Sequence, residues 1–171
     1  MEVSEAIKVR RSIRKYRSDP IPEEYLIKIL EAGRLAPSAG NRQPWHFIIV
    51  RDKSLKEEIV KAARNQRFIG EADAVLIVLS NPEASPRWYL QDPMIAAENM
   101  VLQATELGLG TCYIGAFDEA EVKRILDIPE KFKVICLLPI GYPDETPPPK
   151  PRKPLTEIVS QEKYGNPIKL G

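Results

Sequence analysis

Three short stretches hold the side chains best suited to chemistry. RRSIRKYR, residues 10–17, carries Arg10, Arg11, Arg14, Lys15 and Arg17, with no acid between Glu5 and Asp19. KPRK, residues 150–153, sets Lys150, Arg152 and Lys153 among prolines near the other end. PSAGNRQPW, residues 37–45, places Ser38, Asn41, Arg42 and Gln43 around Gly40. A guanidinium presents a planar fork that matches phosphate, and the Ser12 hydroxyl adds a donor beside it. Each charge-assisted hydrogen bond contributes roughly 1.5–3 kcal/mol, and two separated cationic patches can close on a single phosphate. The cluster also reads as a solvated basic face at a helix end or as a nucleic-acid surface. Against the last, Tyr16 is the one aromatic in the cluster and the net charge of the whole chain is only +1. The amide-rich loop either caps its own helix or reads a flat polar heterocycle.

The elements that must position these residues follow from periodicity. Val3, Ala6, Ile7 and Arg10 repeat at one helical turn, so residues 2–10 read as a short helix. Pro22 suits a first helical position, Glu23 and Glu24 its first turn, and Leu26, Ile29, Leu30 and Gly33 one apolar face. Pro37 and Gly40 end that helix in the loop. WHFIIVR reads as a strand. SLKEEIVKAARNQ opens with a capping box of Ser54 and Glu57. DAVLIVLS is a continuous apolar run, expected of a strand covered on both faces. From Asp92 and Pro93 runs a helix apolar around most of its circumference, expected to be deeply buried and ended by Gly108. TCYIGAF and FKVICLLPIGYP predict two more strands, joined by a helix capped by Asp118 and Glu121. GYPDETPPPKPRKP is a stiff extended arm, and a last helical turn follows it. The alternation of helices and apolar strands gives an α+β or α/β sandwich with a covered sheet.

The bulk composition narrows the classes. The 171 residues suit one domain, and 43% hydrophobic with 29% charged residues is ordinary globular composition. Two cysteines in apolar runs and a single histidine, His46, are too few for a zinc or iron–sulfur site, and no metal is expected. Cys112 and Cys136 read as buried reduced thiols, and His46 as a strand residue packed near Trp45. No apolar signal core or membrane-length run is present, which places the protein in a reducing cytoplasm. Neither common Gly-rich phosphate loop occurs.

Taken in order, RRSIRKYR, LAPSAGNRQPWHFIIV, AENMVLQATELGLGTCYIGAF, LLPIGYP and KPRKPLTEIV resemble the nitroreductase family of FMN-dependent oxidoreductases across nearly the whole chain. The resemblance implies an α+β sandwich with a central, mostly antiparallel sheet flanked by helices, built as one FMN-binding domain over 1–171. It implies an intertwined homodimer with FMN at the subunit interface. Arg10, Arg11, Ser12, Lys150 and Arg152 would then meet the FMN phosphate, and Arg14 the N1/O2 edge of the ring, where it stabilises reduced flavin. Pro37, Ser38, Ala39, Asn41 and Gln43 would reach the ring or ribityl chain from the partner subunit. Asn65 would hydrogen-bond the ring. Ile114 and Gly115 would lie against it, with a backbone N–H near N5. Trp88 and Tyr89 are candidates to wall the substrate pocket. The flavin carries the redox chemistry at N5, so no side chain need act as catalytic acid or base. NAD(P)H would deliver hydride in a ping-pong cycle, and a nitroaromatic, quinone or similar acceptor would remove the electrons. A flavin-binding or regulatory protein without turnover fits the same motifs, because fold does not fix function. Neither nucleic acid nor membrane is expected as a partner.

Overall fold

In the computed structural model, which describes residues 1–169, four strands form one antiparallel sheet in the order β1-β2-β4-β3. They are β1 Trp45–Val50, β2 Ala74–Ser80, β3 Gly110–Thr111 and β4 Lys133–Gly141. Every residue of the central strand β2 is buried, and its side chains alternate between faces. Ala74, Leu76 and Val78 join Cys136, Leu138 and Ile140 of β4 in one core. Val75, Ile77 and Leu79 join Leu137 in a second core on the opposite face.

Helices close both faces. α2 (Glu23–Arg34) and α5 (Gln91–Glu106) cover the first core through Leu26, Ile29, Ala97, Met100, Val101 and Ala104. α3 (Lys53–Ala62), α4 (Phe68–Glu71) and α6 (Glu119–Ile125) cover the second through Ile59, Ile69 and Val122. The result is the three-layered α+β sandwich that the sequence leads one to expect. It is driven by burial worth about 1.5–3 kcal/mol for each large aliphatic side chain. Two short helices, α1 (Val3–Val9) and α7 (Leu155–Ile158), lie near the chain ends.

Several local expectations shift. The α3 cap is Asp52, not Ser54: its carboxylate accepts the Leu55 N–H at 2.9 Å, and the Ser54 hydroxyl donates to the same carboxylate. A charged oxygen at a helix N-terminus outcompetes a hydroxyl there. Asp118 does cap α6, accepting the Glu121 N–H at 3.1 Å, but the Glu121 side chain pairs with Arg124 instead of reaching back. α5 is buried along one side only, and Met94 and Ile95 face outward. TCYIGAF is not a continuous strand: β3 ends at Thr111, and a single bridge from Ile114 to Leu137 follows. His46 is exposed, with its ring against Phe132.

The basic segment 10–17 is not helical. It runs as an extended strap across the β3–β4 end of the sheet. Ile13 donates its N–H to Thr111 O at 2.9 Å, and Arg17 donates to Tyr142 O at 2.9 Å. Two glycines make room for it. Gly110 and Gly141 are direct cross-strand partners. A Cβ on Gly110 would lie 2.6 Å from the Ile13 Cγ1, and one on Gly141 would lie 2.8 Å from the Tyr16 Cδ1. Ile13 and Tyr16 therefore sit in a trough that only side-chain-free backbone leaves open. The Tyr16 hydroxyl donates back to Ile13 O at 2.9 Å. Because Ile13 branches at Cβ and cannot swing aside, Gly110→Ala should destabilise the protein by about 1–3 kcal/mol. Urea denaturation reads this directly, and an unchanged midpoint would show that the trough has slack.

Candidate functional site

Seating Ile13 and Tyr16 inward leaves their polar neighbours on the other side of the strap. The proline arm runs alongside it. Asp144 donates its N–H to Lys15 O at 2.9 Å, the Lys15 ammonium lies 2.7 Å from the Asp144 carboxylate, and the Glu145 carboxylate accepts the Arg14 N–H. Past this clasp the arm continues through Pro147, Pro148 and Pro149, which wall a cleft of about 520 Å³. Arg10, Arg11, Ser12 and Arg14 line it from the strap, and Lys150 and Arg152 from the arm. Two patches more than 130 residues apart in the chain thus meet in one cavity.

The Arg11 guanidinium is fixed before any ligand arrives. Its Nη1 donates to Lys8 O at 2.6 Å and Arg10 O at 2.8 Å, carbonyls at the end of α1. Its Nε is buried without a hydrogen-bond partner among the described residues. A buried unpartnered donor is costly, and it belongs to a residue that lines the cationic cleft. Cys112 lies close by. Burial pushes its thiol pKa up, against the pull of Arg14, the Ser12 hydroxyl and Arg10. Burial pushes Cys136 up to about 12. Both cysteines are free.

The other candidate residues lie outside this cleft. Residues 38–43 form a tight turn with a 3-10 segment at Ala39–Asn41. Gly40, Asn41 and Gln43 all take left-handed backbone, at φ 57°, 54° and 47°. For each of the two non-glycine residues this costs roughly 1–2 kcal/mol, so the turn must be held by its surroundings. The Ser38 hydroxyl accepts the Gln43 N–H at 2.9 Å, and the Gln43 amide donates to Asn41 O at 3.1 Å. The Asp92 carboxylate, at the start of α5, accepts the Ala39 N–H at 3.2 Å. Pro37, Asn41 and Gln43 are exposed. The Arg42 guanidinium folds over Gly40 and donates to Ala39 O at 3.1 Å.

Asn65 is exposed, also left-handed at φ 57°, in a separate groove after α3. Ile114 is buried, and its N–H is committed to Leu137 O at 2.9 Å. Gly115 follows it with open space where a Cβ would stand. Its N–H has no hydrogen-bond partner among the described residues, so of this pair Gly115 offers the free donor. Trp88 is 49% exposed, and neither it nor Tyr89 lines the cleft. Two acids go unremarked in the sequence reading of the site: Glu145, inside the cationic cleft, and Asp92, under the turn. Their only sequence signals are an acid just ahead of the proline run and an acid heading a largely apolar helix.

Comparison with known proteins completes the picture. The model of the Nitroreductase family matches residues 7–79 and 61–142. The chain belongs to the nitroreductase family. A provisionally named NADH dehydrogenase/NAD(P)H nitroreductase of Methanothermobacter thermautotrophicus is 40% identical over 153 residues, covering 86% of this chain and 80% of that one. A solved nitroreductase family protein of Clostridium novyi NT superposes with a TM-score of 0.81 at 34% identity, over 98% of this chain and 97% of that one. The NADPH:FMN oxidoreductase of Vibrio harveyi, solved with NAD+, gives a TM-score of 0.87 at 29% identity, over 99% of this chain and 79% of that one. Among the described residues of this nitroreductase-family chain, no cluster of His, Cys, Asp and Glu could hold a metal ion. No helix among them is long and apolar enough to cross a membrane.

The strap–arm clasp has a pH signature. The hydrogen bond from Lys15, and then its charge, hold the Asp144 carboxyl below its ordinary value of 3.8. A carboxyl depressed in the folded state stabilises fully above its unfolded pKa, and that contribution is lost as pH falls through the folded one. In a carbon-detected NMR titration Asp144 should therefore titrate below the ordinary aspartate range, and Lys15→Ala should move its midpoint upward. An identical midpoint in the variant would mean that the clasp is not formed in solution.

Proposed function

We propose that this protein is an FMN-dependent NAD(P)H oxidoreductase acting as a homodimer. The observation that carries the reading is the meeting of strap and arm cations in one cleft. FMN ends in a phosphate with close to two negative charges, and the cleft offers guanidinium, ammonium and hydroxyl donors from two directions. Arg11 lines the same cleft with its guanidinium already braced by the carbonyls at the end of α1, so it needs little reorganisation to meet a phosphate. We assign Arg10, Arg11, Ser12, Lys150 and Arg152 to the phosphate. Arg14 goes to the N1/O2 edge of the ring, where a fixed positive charge favours the more negative reduced form. The Asn41 and Gln43 amides, with Pro37, Ser38 and Ala39, are assigned to the ring and ribityl chain. Ile114 and Gly115 are assigned to the ring face and Asn65 to a polar edge.

The bound flavin would supply the redox chemistry, accepting hydride from NAD(P)H and passing electrons to a nitroaromatic, quinone or similar acceptor in a ping-pong cycle. The protein's part is to grip the phosphate, orient the ring and exclude competing geometry. The relatives with NAD(P)H oxidoreductase and FMN reductase names support this activity.

The homodimer is supported by what one chain leaves uncovered. The turn at 38–43 stands apart from the phosphate cleft, so a second copy is the natural source of one half of the site. β1 is an edge strand with one side unpaired among the described residues, a surface that proteins normally cover. Val3, Ile7, Leu35, Met94 and Ile95 are exposed apolar side chains on α1, the end of α2, and α5. Two unbridged cysteines fit a reducing cytoplasm.

Titration of the ligand-free protein with FMN, followed by anaerobic addition of NADH or NADPH, tests the reading. After gel filtration removes unbound FMN, the flavin band should stay with the protein, and NAD(P)H should then bleach it. Arg10→Ala and Arg14→Ala together should weaken FMN by roughly tenfold or more for each charge-assisted bond removed. A wild-type protein that retains no flavin after unbound FMN is removed would falsify the proposal, and flavin that binds but never bleaches would reduce it to flavin binding without turnover.

A further inference from the structure

The 38–43 turn is strained, exposed and assigned above to the flavin ring; it closes on itself through its own hydrogen bonds, and the Ala39 N–H ties it to the rest of the fold. The group beneath it is Asp92. This residue is only 2% exposed. Its carboxylate accepts the Ala39 N–H at 3.2 Å and lies 3.5 Å from the Ser85 hydroxyl. No basic side chain forms an ion pair with it among the described residues. A buried carboxylate without a cation needs other compensation. Asp92 has two sources: these two donors and its place in the first turn of the 16-residue α5, at the positive pole of the helix.

The arrangement ties three segments to one side chain. Asp92 donates its own N–H to Trp88 O at 3.0 Å, which fixes it against the loop before α5. Through Ser85 it reaches the middle of that loop, and through Ala39 the start of the turn. Beyond Ala39 come the left-handed residues Gly40, Asn41 and Gln43. We propose that Asp92 is a positioning residue for the flavin-ring site: its buried carboxylate, acting through the Ala39 N–H, holds the 38–43 turn in the shape that presents Asn41 and Gln43. This rests on the assignment of that turn to the ring, and it adds a residue that touches neither cofactor nor substrate. An asparagine keeps one acceptor oxygen for Ala39 but loses the charge and turns a donor toward its surroundings. An alanine loses everything.

The test compares wild type, Asp92→Asn and Asp92→Ala by three measurements. These are exchange of the Ala39 amide hydrogen in FMN-free protein, the FMN dissociation constant, and the midpoint potential of the bound flavin. The expected order is graded. Ala39 exchange quickens and FMN binding weakens by at least about tenfold in the alanine variant and by roughly threefold in the asparagine variant. The potential of the flavin that remains bound shifts in both. A purely structural role would lower the melting temperature and leave affinity and potential at wild-type values once the protein is folded, and that result overturns the proposal. If the alanine variant does not fold, the asparagine variant decides: wild-type values in all three measurements sink the idea. Amide exchange separates the two levels of inference. Quickened Ala39 exchange in a protein whose wild type binds no FMN would confirm the Asp92 tether while removing both the flavin reading and the positioning role built on it.

Discussion

The architecture of the cationic cleft depends on how closely the strap can approach the sheet. Ile13 and Tyr16 rest on Gly110 and Gly141, cross-strand neighbours that together leave a trough with no side chains. Packed interiors tolerate no overlap of this size, so the depth of the strap is set by the missing Cβ atoms. That depth aligns the strap carbonyls and N–H groups with Thr111 and Tyr142. With register fixed there, the side chains between the two anchors face the arm. The strap is thus an irregular segment held by strand-like hydrogen bonds, and its polar residues inherit the rigidity of the sheet.

Electrostatics then acts locally. A chain with a net charge of +1 has no overall pull on anions, but seven donor side chains, Lys8 of α1 among them, converge on one cavity. Of the nearby acids, Asp144 pairs with Lys15, while Glu145 accepts the Arg14 N–H and keeps its charge inside the cleft, where it offsets part of the cationic field. Arg11 is braced by the carbonyls that end α1. Placing a cation against those carbonyls also offsets the negative pole of that helix.

Much of this was legible in the sequence, and the rest was hidden for identifiable reasons. The unbroken apolar run of β2 and the spacing of Leu26, Ile29 and Gly33 mark buried elements because burial writes itself into composition. The two basic patches stand out because no acid interrupts either of them. The strap's conformation was not readable: its restraints come from Thr111 and Tyr142, about a hundred residues away, and from glycines that looked like punctuation. The α3 cap was misplaced by two residues because Ser54 and Asp52 both offer an oxygen, and only geometry shows which one the Leu55 N–H reaches. Met94 and Ile95 predicted burial that a single chain does not supply. Asp92 looked like an ordinary helix start, since sequence cannot show that a turn fifty residues earlier leans on its carboxylate.

The proline arm carries a consequence for the entropy of ligand capture. Pro147, Pro148, Pro149, Pro151 and Pro154 have locked φ angles and no N–H groups. Disorder that a glycine-rich tether would surrender on meeting an anion has already been removed by covalent rings. What Lys150 and Arg152 would give up on closing is then the rotamer freedom of their own side chains, with little added from the backbone that carries them.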